Sequence, residues 1–342
     1  MKKKIGEQIR HWRDFGVEVR LFILGYKECR RAWEEVLNPS EFVVHLSSRR
    51  WERLRALERI ADDLRRWAPE FLYMRQETYY PAIGHMMTST PTFIELNGDE
   101  VSETRSGPLY YWLYQVASRY LVLRNARGLV AVSGELAAAP GFTRFGLPTT
   151  VIGNGIALSD FPELPAPTNG GLRFGFLGSP LGARWHGVEK IVHLAWRRPD
   201  WQFELIGPDP TQLGKIPSNV RTYGVLPRER YQPILAQCDI GVGVLSGYEK
   251  QSREASALKA REYLAYGIPI VSAVLDTDFL EGAPFLLVLP NTPDNVSSSI
   301  DEIERFAKQW KGKRVERSQV RHLDSSLKEQ RRLEFIARVI AM

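Results

Sequence analysis

Two carboxylates and a lysine are spaced for phosphate and sugar chemistry in the stretch EASALKAREYLAYG, residues 254–267. Glu254 belongs to a polar loop, SGYEKQSREAS, and Lys259 falls in the first turn of the helix expected to follow. The N-terminus of a helix presents unpaired N–H groups and the positive end of its dipole, which favour an anion such as a phosphate. A cation there opposes the dipole, so Lys259 points to a negative partner from outside the helix. Glu262 is i, i+3 from Lys259, on nearly the same face, where it can accept hydrogen bonds from ribose hydroxyls. The same residues also fit an amphipathic surface helix with an ordinary Lys/Glu pair.

Such a constellation needs strands and loops to hold it. Apolar strand-like runs alternate with amphipathic helical stretches along the whole chain, the pattern of parallel α/β units. Strands are expected over 17–24, 42–46, 71–74, 92–96, 128–132 and 149–152, then over 173–177, 202–206, 220–223, 240–244, 268–273 and 285–289. That makes two doubly wound sheets in series. The Pro/Gly-rich segment FPELPAPTNGG, residues 161–171, reads as a linker. A first domain is expected over 1–150 and a second over 151–325, with a last helix within 326–342 packing back on the first. At 342 residues, two domains suit the length.

Ligands of open parallel sheets sit off the carboxyl ends of the strands, so two such domains face to face would form a cleft, lined by loops that follow strands. After RFGFL come Gly178 and Ser179 and then LGARWHGVEK, with Arg184 and His186, a loop that suits phosphate but matches no Walker or dinucleotide fingerprint. After QFELI comes Gly207, where a missing side chain lets a flat ring approach or simply makes a turn. Val225 and Leu226 after VRTYG offer an apolar shelf for a base, or a helix start with Pro227.

Composition narrows the classes. The chain is 44% hydrophobic and 25% charged, as soluble globular proteins are. No apolar run is long enough to span a membrane, and the opening MKKKIGEQIRHW has no signal-peptide core, so a cytoplasmic location is expected. Cys29 and Cys238 make neither a disulfide framework nor a metal cluster. No D-x-D or His/carboxylate cluster stands out as a metal site. The net charge of +6 fits an anionic membrane surface, reached peripherally at the inner face, whereas no nucleic-acid module is recognisable.

In order along the second half stand VIGNGIALSDF, FGFLGS, WHGVEKIV, FELIGP, NVRTYGVLPRERYQPILAQCDIGV, and an E-x7-E that overlaps K-x-x-E-Y-x-A-x-G-I-P-I-V. Jointly these resemble the family 4 retaining glycosyltransferases of the GT-B fold (the glycosyl transferases group 1 C-terminal domain), over residues 129–290. The first half resembles that family's acceptor domain more loosely, through YMRQETYYPAIG, TPTFIELNGDEVSETR and ARGLVAVSGEL.

The resemblance implies an α/β GT-B fold, two Rossmann-like domains facing across a cleft, and transfer of a sugar from a UDP- or GDP-sugar to an acceptor hydroxyl. The acceptor would be a glycan or a lipid-linked sugar, the setting surface glycan or glycoconjugate synthesis, and no cofactor or metal is expected. Glu254 would bind donor-sugar hydroxyls, Lys259 would neutralise the leaving diphosphate, and Glu262 would bind the ribose. Gly178, Ser179, Arg184, His186, Gly207, Val225, Leu226, Ala257 and Leu258 would line the donor site, and Arg75, Glu95 and Asn97 the acceptor side. Glu103 and Arg105 lie in the loop beyond, and Ser133 and Asn154 precede glycines at strand ends.

Two departures from the family pattern stand out. Many members carry an arginine just after the FxG strand end and a lysine before the next glycine. Here Ser179 and His186 occupy those places, and Arg184 is the nearby cation. The chain also opens on what reads as the first helix, KKIGEQIRHWRDFG, so the first domain is expected to lack its N-terminal central strand, with a late recorded start or a natural truncation as the explanation. A catalytically silent sugar-nucleotide-binding or scaffold protein, or an epimerase or phosphorylase of similar shape, are the alternatives.

Overall fold

The computed structural model describes residues 2–25, 29–38, 42–46, 50–105, 107–178, 183–209, 211 and 213–342. The chain divides into two compact units, Met1–Gly153 with Ser325–Met342, and Asn154–Asp324.

In chain order the first unit contains α1 (Lys2–Asp14), β1 (Leu21–Gly25), α2 (Cys29–Glu34), β2 (Phe42–Leu46), α3 (Arg50–Trp67), β3 (Leu72–Arg75) and α4 (Pro81–Ser89). There follow β4 (Thr92–Leu96), α5 (Glu100–Glu103), α6 (Leu109–Leu123), β5 (Gly128–Ala131), α7 (Gly134–Ala137), α8 (Pro140–Thr143) and β6 (Thr149–Val151). The strand expected over 17–24 begins only at Leu21. Val17 and Val19 instead pack against the Trp12, Phe93 and Phe335 cluster.

All strands of this unit run parallel, but they form two sheets, β1-β2 and β3-β4-β5-β6. Among the described residues no strand pairs with β1 beyond β2, or with β3 beyond β4. The described strands of this unit therefore fall into two separate sheets. Side chains bridge the two parts, because Phe22 and Leu24 of β1 pack into the same apolar cluster as Leu72 and Met74 of β3.

The last helix, α14 (Ser325–Ile340), belongs to this unit and packs along α1. Gln8 and Trp12 of α1 donate to one oxygen of the buried Glu329, at 2.9 and 2.8 Å, while Arg332 takes the other. Glu95, at the end of β4 and 2% exposed, accepts from Lys4 (2.9 Å), Tyr73 (2.6 Å) and Asn97 (2.9 Å), with Arg332 at 3.9 Å. Burial works against its charge. Lys4, Arg332 and the hydrogen bonds from Tyr73 and Asn97 outweigh burial and hold the carboxyl at about 2, against an ordinary 4.5.

The second unit contains β7 (Arg173–Leu177), α9 (Val188–Arg197), β8 (Gln202–Ile206), β9 (Val220–Gly224), α10 (Arg228–Ala236) and β10 (Ile240–Val242). There follow β11 (Glu254–Ala255), α11 (Leu258–Ala265), β12 (Ile270–Ser272), β13 (Leu275–Asp276), β14 (Leu286–Val288), α12 (Asn295–Ser298) and α13 (Ile300–Trp310). Six parallel strands run in the order β14-β12-β10-β7-β8-β9. The middle residues of the central strands, Phe174–Phe176 of β7 and Ile240–Val242 of β10, are apolar and buried, as expected of a parallel sheet. Phe174, Trp201 and Phe203 stack within one face of the core, with ring centroids 5.0 and 5.3 Å apart. Glu254 was expected in a loop, but it opens β11, which pairs with β13 in a separate two-stranded sheet.

No described helix is long and apolar enough to cross a membrane.

The depressed carboxyl of Glu95 stabilises the fold fully above about pH 4.5 and ceases to do so as pH falls toward 2, a contribution of about 3 kcal/mol. Glu95→Gln strands the charges of Lys4 and Arg332, and is expected to cost about 3–5 kcal/mol in urea unfolding at neutral pH. The gap from wild type should close on acidification below about pH 4. A gap independent of pH would show that the charge contributes nothing.

Candidate functional site

In the second unit β7, β8 and β9 are laid down in one direction from β7, and β10, β12 and β14 in the other. The chain order therefore reverses between the neighbours β7 and β10, and the crevice beyond the carboxyl ends of those two strands is where open α/β sheets bind ligands. β7 and β10 pair from Ile240↔Phe174 to Val242↔Phe176 and then part. Tyr263 of α11 enters the parting, its hydroxyl accepting from Leu177 N (2.6 Å) and donating to Val242 O (3.3 Å). Gly241 makes this packing feasible, since a Cβ there would lie 2.7 Å from the Tyr263 ring.

Lys259, one turn before Tyr263, brings its ammonium to the same reversal point. It donates to Gly243 O (3.1 Å) just past β10, lies 4.0 Å from the centre of the Phe176 ring of β7, and is 2.9 Å from His186 Nδ1. An ammonium has no lone pair, so Nδ1 is the acceptor when Lys259 is charged, and the ring proton then sits on Nε2. These partners are a carbonyl, an aromatic face and a neutral ring, so burial pushes the Lys259 pKa well below its ordinary value. His186 is pulled down to about 4 by burial and by the charges of Lys259 and Lys250.

Arg261, between Lys259 and Glu262, turns into the core and is fully buried. It holds Asp276 with two bonds (2.6 and 2.8 Å), Asp278 (2.8 Å), Ser256 Oγ (2.9 Å) and Asn154 O (2.7 Å). Asp276 lies in β13, so this guanidinium also fixes β11 and the position of Glu254. Asn154 returns two bonds to Ser256, at 2.7 and 2.6 Å. Asp276 and Asp278 are a D-x-D pair that the sequence reading passed over, and both carboxylates are turned to Arg261. Among the described residues no group of three or more His, Cys, Asp or Glu is placed to hold a metal ion.

Glu262 accepts a short hydrogen bond from the Tyr231 hydroxyl of α10. Burial and the Glu262 charge raise the Tyr231 pKa, so the phenol remains a donor at neutral pH. Ala257 is the N-cap of α11 and offers no side-chain cap, leaving the first amides of the helix to another acceptor. Gly178 and Gly207 meet at the ends of β7 and β8, where Gly207 has φ +105° and a Cβ would lie 2.0 Å from Gly178 O. Gly207 is thus required by its neighbouring strand. Arg184 is exposed, Val225 is exposed, and Leu226 packs into the apolar core beside Tyr266. Ser179 lies outside the described residues.

The structure brings together Lys259, His186 and the ends of β7 and β10, places Glu254 in β11, whose partner strand Arg261 holds through Asp276, and sets Glu262 next to Arg261 on α11. Arg75, Glu95 and Asn97 cluster in the first unit, where Arg75 and Asn97 are exposed but the Glu95 carboxylate is already engaged. Ser133 caps α7, accepting from Leu136 N at 3.2 Å. Sequence reasoning missed Arg261, Tyr263, Phe176 and Tyr231. A basic residue two positions from Lys259 on the opposite helix face was the available signal for Arg261. Lys190 was missed as well; it is buried against the Leu245 and Thr292 carbonyls and Asn295, at 3.1, 2.9 and 2.8 Å, and steadies the loop after β10.

Lysine in place of Arg261 cannot reach two carboxylates, Ser256 and Asn154 at once. Arg261→Lys is expected to destabilise the chain by about 3–5 kcal/mol. Hydrogen exchange should show lost protection at the Leu275 and Thr277 amides, which bond to Arg253 O and Ala255 O. Unchanged protection there would argue against the anchoring role.

No protein-family model and no curated protein matches the sequence. Among solved structures, the chain is similar to the lipopolysaccharide outer core galactosyltransferase WaaB in its apo form, with TM-score 0.68 at 12% identity, covering 98% of this chain and 94% of that one. It is also similar to HepE of Anabaena in complex with UDP-glucose, with TM-score 0.66 at 14% identity over 98% and 95% of the two chains. A glycosyltransferase from Rickettsia africae gives TM-score 0.63 at 14% identity over 98% and 94%. The fold is accordingly α/β with parallel sheets, the fold of GT-B glycosyltransferases, over nearly the whole chain.

Proposed function

We propose that this protein is a retaining glycosyltransferase that moves a sugar from a UDP- or GDP-sugar to an acceptor hydroxyl. The observation that carries the reading is the Lys259 ammonium at the chain reversal between β7 and β10, surrounded by uncharged partners and beside the uncapped start of α11. A desolvated cation with neutral neighbours is costly when the site is empty and favourable once an anion fills it. The diphosphate of a nucleotide sugar is such an anion, and its charge grows as the sugar bond breaks, when Lys259 stabilises it most. That role lets Lys259 serve without an added divalent cation. The ribose hydroxyls go to Glu262, which exchanges or shares its Tyr231 bond, and the donor-sugar hydroxyls go to Glu254. Gly178, Gly207, Val225, Leu226, Ala257 and Leu258 surround the nucleotide, with Arg184 and His186 toward the diphosphate. HepE, similar in fold, was solved with UDP-glucose.

On the acceptor side, Glu95 acts by holding Asn97 and Arg75, which are exposed to a glycan or lipid-linked acceptor. An acceptor at a membrane fits the outer face of α6. That helix buries Gln115, Ser118 and Arg119 while Leu109, Tyr110 and Leu113 are 68%, 72% and 51% exposed. Residues 104–134 carry no carboxylate and three exposed arginines, Arg105, Arg124 and Arg127, while Arg119 is buried against Asp99 and Glu100. Tyrosine with arginine around exposed leucine suits the headgroup level of an anionic bilayer. A second reading, a silent sugar-nucleotide-binding protein, is favoured by the divided sheet of the first unit.

Lys259→Ala is expected to lower sugar transfer by roughly two to three orders of magnitude, about 2.7–4 kcal/mol, with the unfolding transition retained. Near wild-type turnover would sink the assignment. Nucleotide-sugar binding with neither transfer nor donor hydrolysis would favour the silent reading. Sedimentation with phosphatidylglycerol vesicles, but not with phosphatidylcholine ones, is expected for the wild type and much reduced for Tyr110→Ser/Leu113→Ser. Equal recovery with both lipids would remove the anionic-membrane contact.

A further inference from the structure

His186 is held where its protonation matters to an arriving anion. It closes the helical turn Arg184–His186, which enters α9 through Gly187 at φ +68°. Two backbone bonds tie this turn to the loop beyond β10, from Leu245 N to His186 O (3.3 Å) and from Ser246 N to Trp185 O (3.1 Å). A Cβ on Gly187 would lie 2.8 Å from Leu245 Cβ and from Ser246 Oγ, so the turn is pressed against that loop. The imidazole meets the edge of the Phe176 ring at 5.7 Å and 78°, and its Nδ1 stands 2.9 Å from Lys259 Nζ.

The charges that act on this ring are of its own sign, Lys259 from α11 and Lys250 from the turn Gly247–Lys250. Lys250 itself lies 3.7 Å over the Trp185 ring, and Arg184 is exposed on the same turn as His186. Lys190 of α9 is occupied by carbonyls and Asn295, with Glu189, Asp294 and Glu249 near it. Two half-buried basic groups in contact resist carrying two charges. In the free protein His186 is therefore the neutral partner, consistent with its pKa of about 4.

We propose that His186 and Lys259 form one proton-accepting pair, and that binding of a nucleotide-sugar diphosphate is accompanied by uptake of a proton on His186. The inference rests on the donor-site reading above and adds a property to it. An anion against the pair cancels the repulsion that keeps the ring neutral, so the ring gains a proton from solvent as the diphosphate binds. The bound state then holds more protons than the free state, and affinity rises as pH falls. The rise ends below about pH 4, where the free ring is already charged.

UDP-glucose and GDP-mannose are suitable probes because their diphosphates are diesters without a titrating proton near neutrality. Calorimetric titration between about pH 5 and 8, in buffers of different ionisation enthalpy, measures affinity and counts protons. The expected result is tightening of up to about tenfold per pH unit lowered and uptake approaching one proton. His186→Gln, whose amide oxygen still accepts from Lys259, is expected to bind with a flat profile. In the wild type, ¹⁵N-histidine spectra should show the His186 ring becoming charged on addition of the probe, a readout independent of how the variant folds. Binding that is flat in pH, an unchanged slope in His186→Gln, or a ring that stays neutral would each overturn the proton uptake alone. Failure of both probes to bind at every pH would overturn the donor-site reading and this inference with it.

Discussion

The arrangement of the candidate site depends on one buried guanidinium. Arg261 is fully buried, and two aspartates, a hydroxyl and a backbone carbonyl surround it. Burying a cation is costly, and removing one partner leaves the others unsatisfied, so such a hub is more informative about specificity than about net stability. Here it fixes a relationship. Through Asp276 it positions β11 and Glu254, and through its own helix it positions Lys259 and Glu262. Residues far apart in the chain, Asn154 and Asp276, are thereby referred to one point.

Against that anchored background, Lys259 stands out because its charge is not matched. Arg261 has aspartates, whereas Lys259 has a carbonyl, a ring face and a neutral imidazole. Two cations two residues apart on one helix are thus treated in opposite ways, one neutralised by carboxylates and one left with uncharged partners. Tyr263 completes the arrangement by holding β7 and β10 apart at their ends, and the glycine at 241 is what admits its ring. The cost of the unmatched ammonium is offset elsewhere in the unit, by burial of the stacked aromatic core.

In the first unit buried charge joins elements. Glu95 and Glu329 each gather donors from α1, β3 or α14, and those links tie the ends of the chain to a sheet that is itself in two parts. The helix that precedes the first strand was legible in the opening residues. The location of the break, between β1 and β3, and its bridging by Phe22, Leu24, Leu72 and Met74 were not, because strand order is a property of non-local pairing. Likewise, Glu95 looked like a cleft residue from its place at a strand end, and its engagement by Lys4 and Arg332 emerges only when Lys4, 91 positions before it, and Arg332, from the far end of the chain, are brought beside it.

The sequence by itself determined the alternation of strands and helices and, to within a residue, the ends of most of the strands expected from it. It also determined the presence of Glu254, Lys259 and Glu262 at one helix start. These follow from hydrophobic periodicity and turn chemistry, which act over a few residues. Tertiary structure alone decided that Glu254 lies in a strand, that the Asp276/Asp278 pair serves Arg261, and that Lys259 meets His186 across 73 positions of chain. The physical reason is that a side chain's charge and partners depend on which groups share its burial. That is set by the packing of distant segments, which local pattern does not encode.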